Sequence, residues 1–161
     1  MDERDAKDRV REAVAGKRDE LVELTSSLIA ARSVTGNEEP AQDVVISRLE
    51  SMGLEPDVWE PDADALRGHP GFFETSSYVE QGYDGRPNVA ATVEGSGEGR
   101  SLTLSGHVDV VPVDEGEWTY DPWDPVVDDG RLYGRGANDM LGGGASVIVA
   151  AGALAEAGVE L

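Results

Sequence analysis

Cysteine is absent from the 161 residues, so no disulfide, thiolate metal site or cysteine nucleophile is available. Any bound metal must take His, Asp or Glu as ligands. Positive charge is scarce as well: 13 Lys and Arg, only two of them Lys, stand against 33 Asp and Glu, giving a formal net charge of −20 and a pI near 4.2. Nucleic acid and anionic membrane surfaces, which both call for clustered basic side chains, are disfavoured as partners. The carboxylates run along the whole chain and form no single block, which reads as a surface adapted to concentrated salt and not as an acidic binding tail. The N-terminus, MDERDAKDRVREAVAGKRDE, lacks the apolar core of a signal peptide. The longest apolar stretch, Ala145 to Ala155, is too short to cross a bilayer and reads as a buried helix, so a cytoplasmic location is expected. There is no internal repeat, no Gly-x-Gly-x-x-Gly loop placed to cradle a dinucleotide, and no Gly-x-Ser-x-Gly elbow.

With 39% hydrophobic and 29% charged residues, the chain can build one packed domain. Val10, Val14, Leu21, Leu24 and Leu28 share a helical face, predicting one amphipathic helix over roughly residues 5–31. Thr35-Gly36-Asn37-Glu38 fits a capping box for a second helix carrying Ala41, Val44, Val45 and Leu49 and stopping at Gly53. A short strand is expected near Glu55–Trp59, then a long surface connection from Pro61 to Pro87. Asn88–Glu94 and Ser101–Val111 flank a glycine-rich turn and predict a hairpin. Val126–Tyr133 predicts a second one around Asp129-Gly130. Gly142–Ala157 reads as a closely packed helix ended by Gly158, and Val159-Glu160-Leu161 as the start of another strand. Interleaved helices and strands argue for α/β layers.

Two segments carry chemistry. In Leu102-Thr103-Leu104-Ser105-Gly106-His107-Val108-Asp109, strand alternation puts His107 and Asp109 on one side near the strand's end. An imidazole binds zinc through one nitrogen while a carboxylate fixes its tautomer through the other. In Gly134-Arg135-Gly136-Ala137-Asn138-Asp139-Met140-Leu141-Gly142-Gly143-Gly144, Asp139 sits in a glycine-rich turn entering a helix. Amides and the helix dipole favour an ionised carboxylate there; taken alone, the same residue reads as a helix cap.

Taken in order, Ser-Gly-His107-Val-Asp109-Val-Val-Pro, Trp118, Asp121-Pro122-Trp123, Asp129-Gly130-Arg131-Leu132-Tyr133-Gly134-Arg135-Gly136 and Asp139-Met140 with paired glycines closely resemble one family. It is the family of co-catalytic zinc amidohydrolases and exopeptidases that includes acetylornithine deacetylase, succinyl-diaminopimelate desuccinylase, aminoacylase and the glutamate carboxypeptidases. The resemblance runs from Arg86-Pro87-Asn88-Val89 onward. It implies that His107 binds one zinc, that Asp139 bridges two zinc ions, and that Asp109 serves catalysis by orienting His107. Cobalt or manganese suits such ligands equally. The implied fold is a three-layer α/β/α sandwich with a mixed sheet. The implied activity is metal-dependent hydrolysis of amide bonds in N-acyl amino acids or small peptides, which are the expected small-molecule partners.

Departures from the family pattern matter. Leu141 stands where the family carries Lys after Asp-Met. The family's general base, the first Glu of a Glu-Glu pair, its remaining zinc ligands and its lid and dimerisation domain are all expected past Leu161. Residues 1–161 therefore read as the N-terminal part of a catalytic domain, and the oligomeric state is left open. Glu156, roughly 25 Å along the helix from Asp139, cannot replace that base. The competing reading is a non-catalytic truncated remnant with weak metal binding; an acidic interaction module is a third. His69 reads as an exposed loop residue, Trp118, Tyr120 and Trp123 as anchors of the loop after the metal segment, and Asp114–Glu117 as lacking the register of a calcium loop.

Overall fold

The computed structural model describes residues 3–96, 99–114, 116 and 118–158. The tip of the first expected hairpin (97–98), parts of the acidic stretch (115 and 117) and the strand expected from Val159 lie outside the described residues.

The expected first helix is two helices, α1 (Glu3–Ala15) and α2 (Arg18–Ala30), separated at Gly16-Lys17. Glycine costs a helix interior about 1 kcal/mol against alanine, and Lys17 takes non-helical torsions beside it. Its ammonium then reaches Glu20 (2.9 Å) and Glu156 (2.5 Å). Helix α3 (Glu39–Ser51) ends as expected before Gly53, whose φ of +77° is a left-handed stop. Arg48 of α3 pairs with Glu20 of α2. The capping box is a correction: Glu38 accepts from the Gly36 amide (2.9 Å), but the Thr35 hydroxyl turns away from α3.

The expected short strand is present as β1 (Asp57–Trp59). Between Pro61 and Pro87 the chain forms two small helices. These are α4 (Ala63–Arg67), capped by Asp62, and α5 (Ser76–Gln81), capped by Thr75. At five and six residues they are too short to display a hydrophobic period, which is why their sequence resembles irregular loop.

Strand β2 (Asn88–Ala90) pairs antiparallel with β1, matching Trp59 to Asn88 and Asp57 to Ala90. This overturns the expected hairpin between 88–94 and 101–111. Val, Thr and Leu report fitness for a pleated, half-buried surface and do not name the partner strand. Leu102 (81% exposed) and Leu104 (55%) lie in a run that joins no ladder among the described residues, where Val110 makes an isolated parallel bridge to Val34. The second hairpin forms as expected: β3 (Val126–Asp128) and β4 (Arg131–Tyr133) join through Asp129 (φ +46°) and Gly130 (φ +73°). Two left-handed residues match the twist of a two-residue hairpin, and Asp-Gly tolerates them best.

Helix α6 (Gly142–Glu156) packs against α1 and α2. Ala145, Gly152 and Ala153 are buried, small enough to admit neighbouring helices closely. Together with Leu24, Leu28, Ile29, Ala41, Val110 and Leu141, Ala145 and Val149 form the core. The turn plus helix from Ala137 to Glu156 is apolar and long enough by composition to span a bilayer, but its Ala145–Val149 face belongs to this core. The described residues thus form helices and two antiparallel strand pairs, as part of an α/β domain would; the expected three-layer sandwich is not assembled among them.

Candidate active site

Residues 33–35, between α2 and α3, grip the segment that carries His107. The Val110 amide donates to the Ser33 carbonyl (2.8 Å) and the Thr35 amide to the Val110 carbonyl (3.1 Å). The Ser33 hydroxyl donates to the Val108 carbonyl (2.5 Å). Ser33 and Val110 are buried, so these bonds are shielded from competing water. On the other side, a β-carbon at Gly106 would meet the Met140 methyl at 3.0 Å, so the backbone before His107 runs tight against Met140.

Asp139 lies in the wide turn Ala137–Leu141 that leads into α6, and the peptide after it is cis. Gly136 makes the turn possible: its φ is +80°, and a β-carbon there would sit 2.4 Å from Val110 Cγ1. No side chain caps α6, so the Asp139 carboxylate is not acting as a helix cap. It is 85% exposed and faces the His107 ring.

The imidazole is flanked by carboxylates on both sides. His107 Nε2 lies 3.2 Å from Asp139 Oδ1. Nδ1 lies 3.2 Å from Asp109 Oδ1 and 3.1 Å from the Asp109 carbonyl. The three residues singled out by sequence are therefore neighbours. A neutral imidazole carries one N–H, which serves only one of these two contacts. If it lies on Nδ1, Nε2 and Asp139 present lone pairs to each other, which a cation between them would satisfy. Two donors on a tetrahedral zinc, each about 2.0–2.2 Å from the ion, stand about 3.3 Å apart, close to the observed spacing. The donor pair fits a zinc-type ion in kind and in separation. Among the described residues, no group of three or more His, Asp or Glu is arranged to hold a metal.

Three polar residues beside the site escaped the sequence reading. The Thr35 hydroxyl donates to Asp109 Oδ2 (3.1 Å). Arg86 donates to both oxygens of the nearly buried Glu38 (2.9 and 2.7 Å), and its positive charge also acts on Asp109. Thr35 and Glu38 had read as a local cap; their long-range partners, 74 and 48 residues away, leave no mark in local spacing.

The remaining candidates fall elsewhere. His69 is exposed in the loop after α4, its ring accepting from the Gly71 amide (3.1 Å). The Tyr120 hydroxyl donates to Asp128 (2.8 Å), which holds its own proton above the usual tyrosine range, and the Tyr120 ring lies against Tyr133. Arg135 covers the Trp118 ring at 4.8 Å and donates to the Pro112 carbonyl (3.3 Å). Trp123 packs against the core. These aromatics anchor the loop after the His107 segment. Leu141 is buried in the core, so in this chain the position after Met140 serves packing. Glu156 pairs with Lys17 at the far end of α6.

The sequence profile of peptidase family M20/M25/M40 matches residues 103–161, the stretch that carries His107, Asp109 and Asp139. The chain is 39% identical over 132 residues to a succinyl-diaminopimelate desuccinylase of Methylobacterium radiotolerans, covering 82% of this chain and 29% of that one. It is 32% identical over 158 residues to the N-formyl-4-amino-5-aminomethyl-2-methylpyrimidine deformylase of Bacillus subtilis, covering 94% and 32%. A succinyl-diaminopimelate desuccinylase of Polynucleobacter necessarius is 36% identical over 132 residues, covering 80% and 30%. The chain thus spans about 30% of the length of the curated relatives it matches.

Proposed function

Taking as premise that this chain belongs to peptidase family M20/M25/M40, we propose that it supplies part of the active site of a metal-dependent amidohydrolase. The proposed substrates are N-acyl amino acids or small peptides. The observation that carries the reading is the imidazole held between two carboxylates, with Nε2 and Asp139 Oδ1 3.2 Å apart. The relatives' names speak of removing a succinyl and a formyl group, which supports deacylation over other hydrolytic chemistry.

In this reading His107 Nε2 and the Asp139 carboxylate would hold a zinc-type ion. Asp109 holds the proton on Nδ1, leaving the Nε2 lone pair free for metal. Bound metal would supply a polarised carbonyl and a water of lowered pKa. The exposed face of Asp139 leaves room for a substrate amide, while Gly106 and Met140 fix the backbone behind it. The general-base carboxylate, the further ligands and the rest of an α/β/α sandwich are proposed to come from outside these residues. Two donors alone bind zinc weakly.

Titration of the wild-type chain with zinc, in competition with a chelator of moderate affinity, tests this. Weak but saturable binding is expected, with at least a tenfold loss in His107→Ala and in Asp139→Asn. Binding unchanged by both substitutions would overturn the ligand assignment. The zinc-loaded chain alone is expected to release no acid from N-succinyl or N-acetyl amino acids. Enzymatic turnover would overturn the placement of the general base.

A further inference from the structure

We infer that Thr35 is a positioning residue of this site: its hydroxyl clamps Asp109 and thereby sets which nitrogen of His107 carries the proton. The inference rests on the proposed role of His107 only where it concerns metal affinity. Asp109 has two carboxylate oxygens with distinct neighbours. Oδ1 lies 3.2 Å from His107 Nδ1, and Oδ2 accepts from the Thr35 hydroxyl at 3.1 Å. Without the second contact, rotation about the terminal bond of the side chain would be free to carry Oδ1 away from the ring.

Thr35 is well placed to act as a clamp because its backbone is itself fixed. Its amide donates to the Val110 carbonyl, Val34 bridges Val110, and the Ser33 hydroxyl holds the Val108 carbonyl. Asp109 is therefore bracketed by one three-residue segment, at Val110 through main-chain bonds and at Val108 through the Ser33 hydroxyl, and the Thr35 hydroxyl extends that grip to its side chain. The same hydroxyl lies 3.5 Å from the Val110 carbonyl, a longer and weaker contact than the one to Asp109. Among the described residues, the Asp109 carbonyl, 3.1 Å from Nδ1, is the other acceptor facing that nitrogen. Its hold is shared by any residue at 109, so the side-chain clamp is what raises the preference for Nδ1–H. Residues that orient a metal-binding imidazole in this way typically change metal affinity by about 10–100-fold when removed.

Long-range ¹H–¹⁵N correlation spectra of the full chain at about pH 8, where a free imidazole is neutral, report the His107 tautomer without any metal. Wild type and Thr35→Ser are expected to show Nδ1–H almost exclusively. Thr35→Val, and Thr35→Ala should the valine variant not fold, are expected to show a mixture of tautomers and about tenfold weaker zinc binding. Wild-type tautomer populations in a folded variant lacking the hydroxyl would overturn the inference, as would a serine variant that behaves like the valine one. A wild-type chain that took up no zinc would count against the proposed function, and the metal-free spectra would still decide the role of Thr35.

Discussion

Glu38 is 6% exposed, and both its oxygens accept from Arg86 while Oε1 also takes the Gly36 amide. Burial by itself pushes its carboxyl up, but the Arg86 hydrogen bonds, the backbone amides and the guanidinium charge outweigh that and hold it below the ordinary 4.5. The folded state therefore favours the charged form, so the pair's contribution is fully present above about pH 4.5 and is lost as pH falls through the lowered value. Wild type should lose melting temperature more steeply below pH 4.5 than Glu38→Gln, and Glu38→Ala should cost about 3 kcal/mol at neutral pH by leaving the Arg86 charge with only the Gly82 carbonyl in place of its carboxylate. Thermal melts from pH 3 to 7 check both statements. At this scale the convergence of His107, Asp109 and Asp139 on one another was legible, because the order of short motifs that carries them is readable along the chain. Thr35 and Arg86 were not, since a hydroxyl or guanidinium whose partner is tens of residues away has no local signature.

The turn Ala137–Leu141 shows how a short element can govern the geometry around it. It must deliver Asp139 to the imidazole while Leu141, two residues on, enters the core. Gly136 meets both needs through a left-handed torsion and close contact with Val110. Gly136→Ala should destabilise the chain by about 2–4 kcal/mol, combining the left-handed penalty with overpacking, and urea denaturation would measure it. Helix α6, the β3–β4 hairpin and the stop at Gly53 were all readable, because periodicity, Asp-Gly and a helix-ending glycine are local signals. Strand pairing was not. Partner choice for 88–90 was settled by β1, more than twenty-five residues earlier.

For the whole molecule, the net charge of −20 sets the balance between solubility and cohesion. Salt bridges such as Lys17–Glu20 and Arg86–Glu38 use a good part of the few cations, so most carboxylates repel one another. Raising salt from about 0.1 M to above 1 M shortens the screening length from ~10 Å to ~3 Å. The melting temperature should then rise by about 4–8 °C, the response of a chain this size to ~2 kcal/mol of relieved repulsion. A melting temperature that stays flat or falls over that range would count against a salt-adapted surface. The exposed Leu102 and Leu104 should gain from the same change, because salting-out favours any contact that covers them.

The tie between Lys17 and Glu156 brings the start of α2 beside the end of α6, 139 positions further along the chain. Since these 161 residues contain no thiol, cysteines introduced on α1 and at the close of α6 would be the sole labelling sites for a statistical mixture of donor and acceptor dyes, from which molecules carrying one of each are selected singly. Energy transfer between them would be near its maximum only while the first and last helices stay docked. That makes these two helices a built-in optical ruler for assembly, readable on single molecules and independent of whether any metal is present.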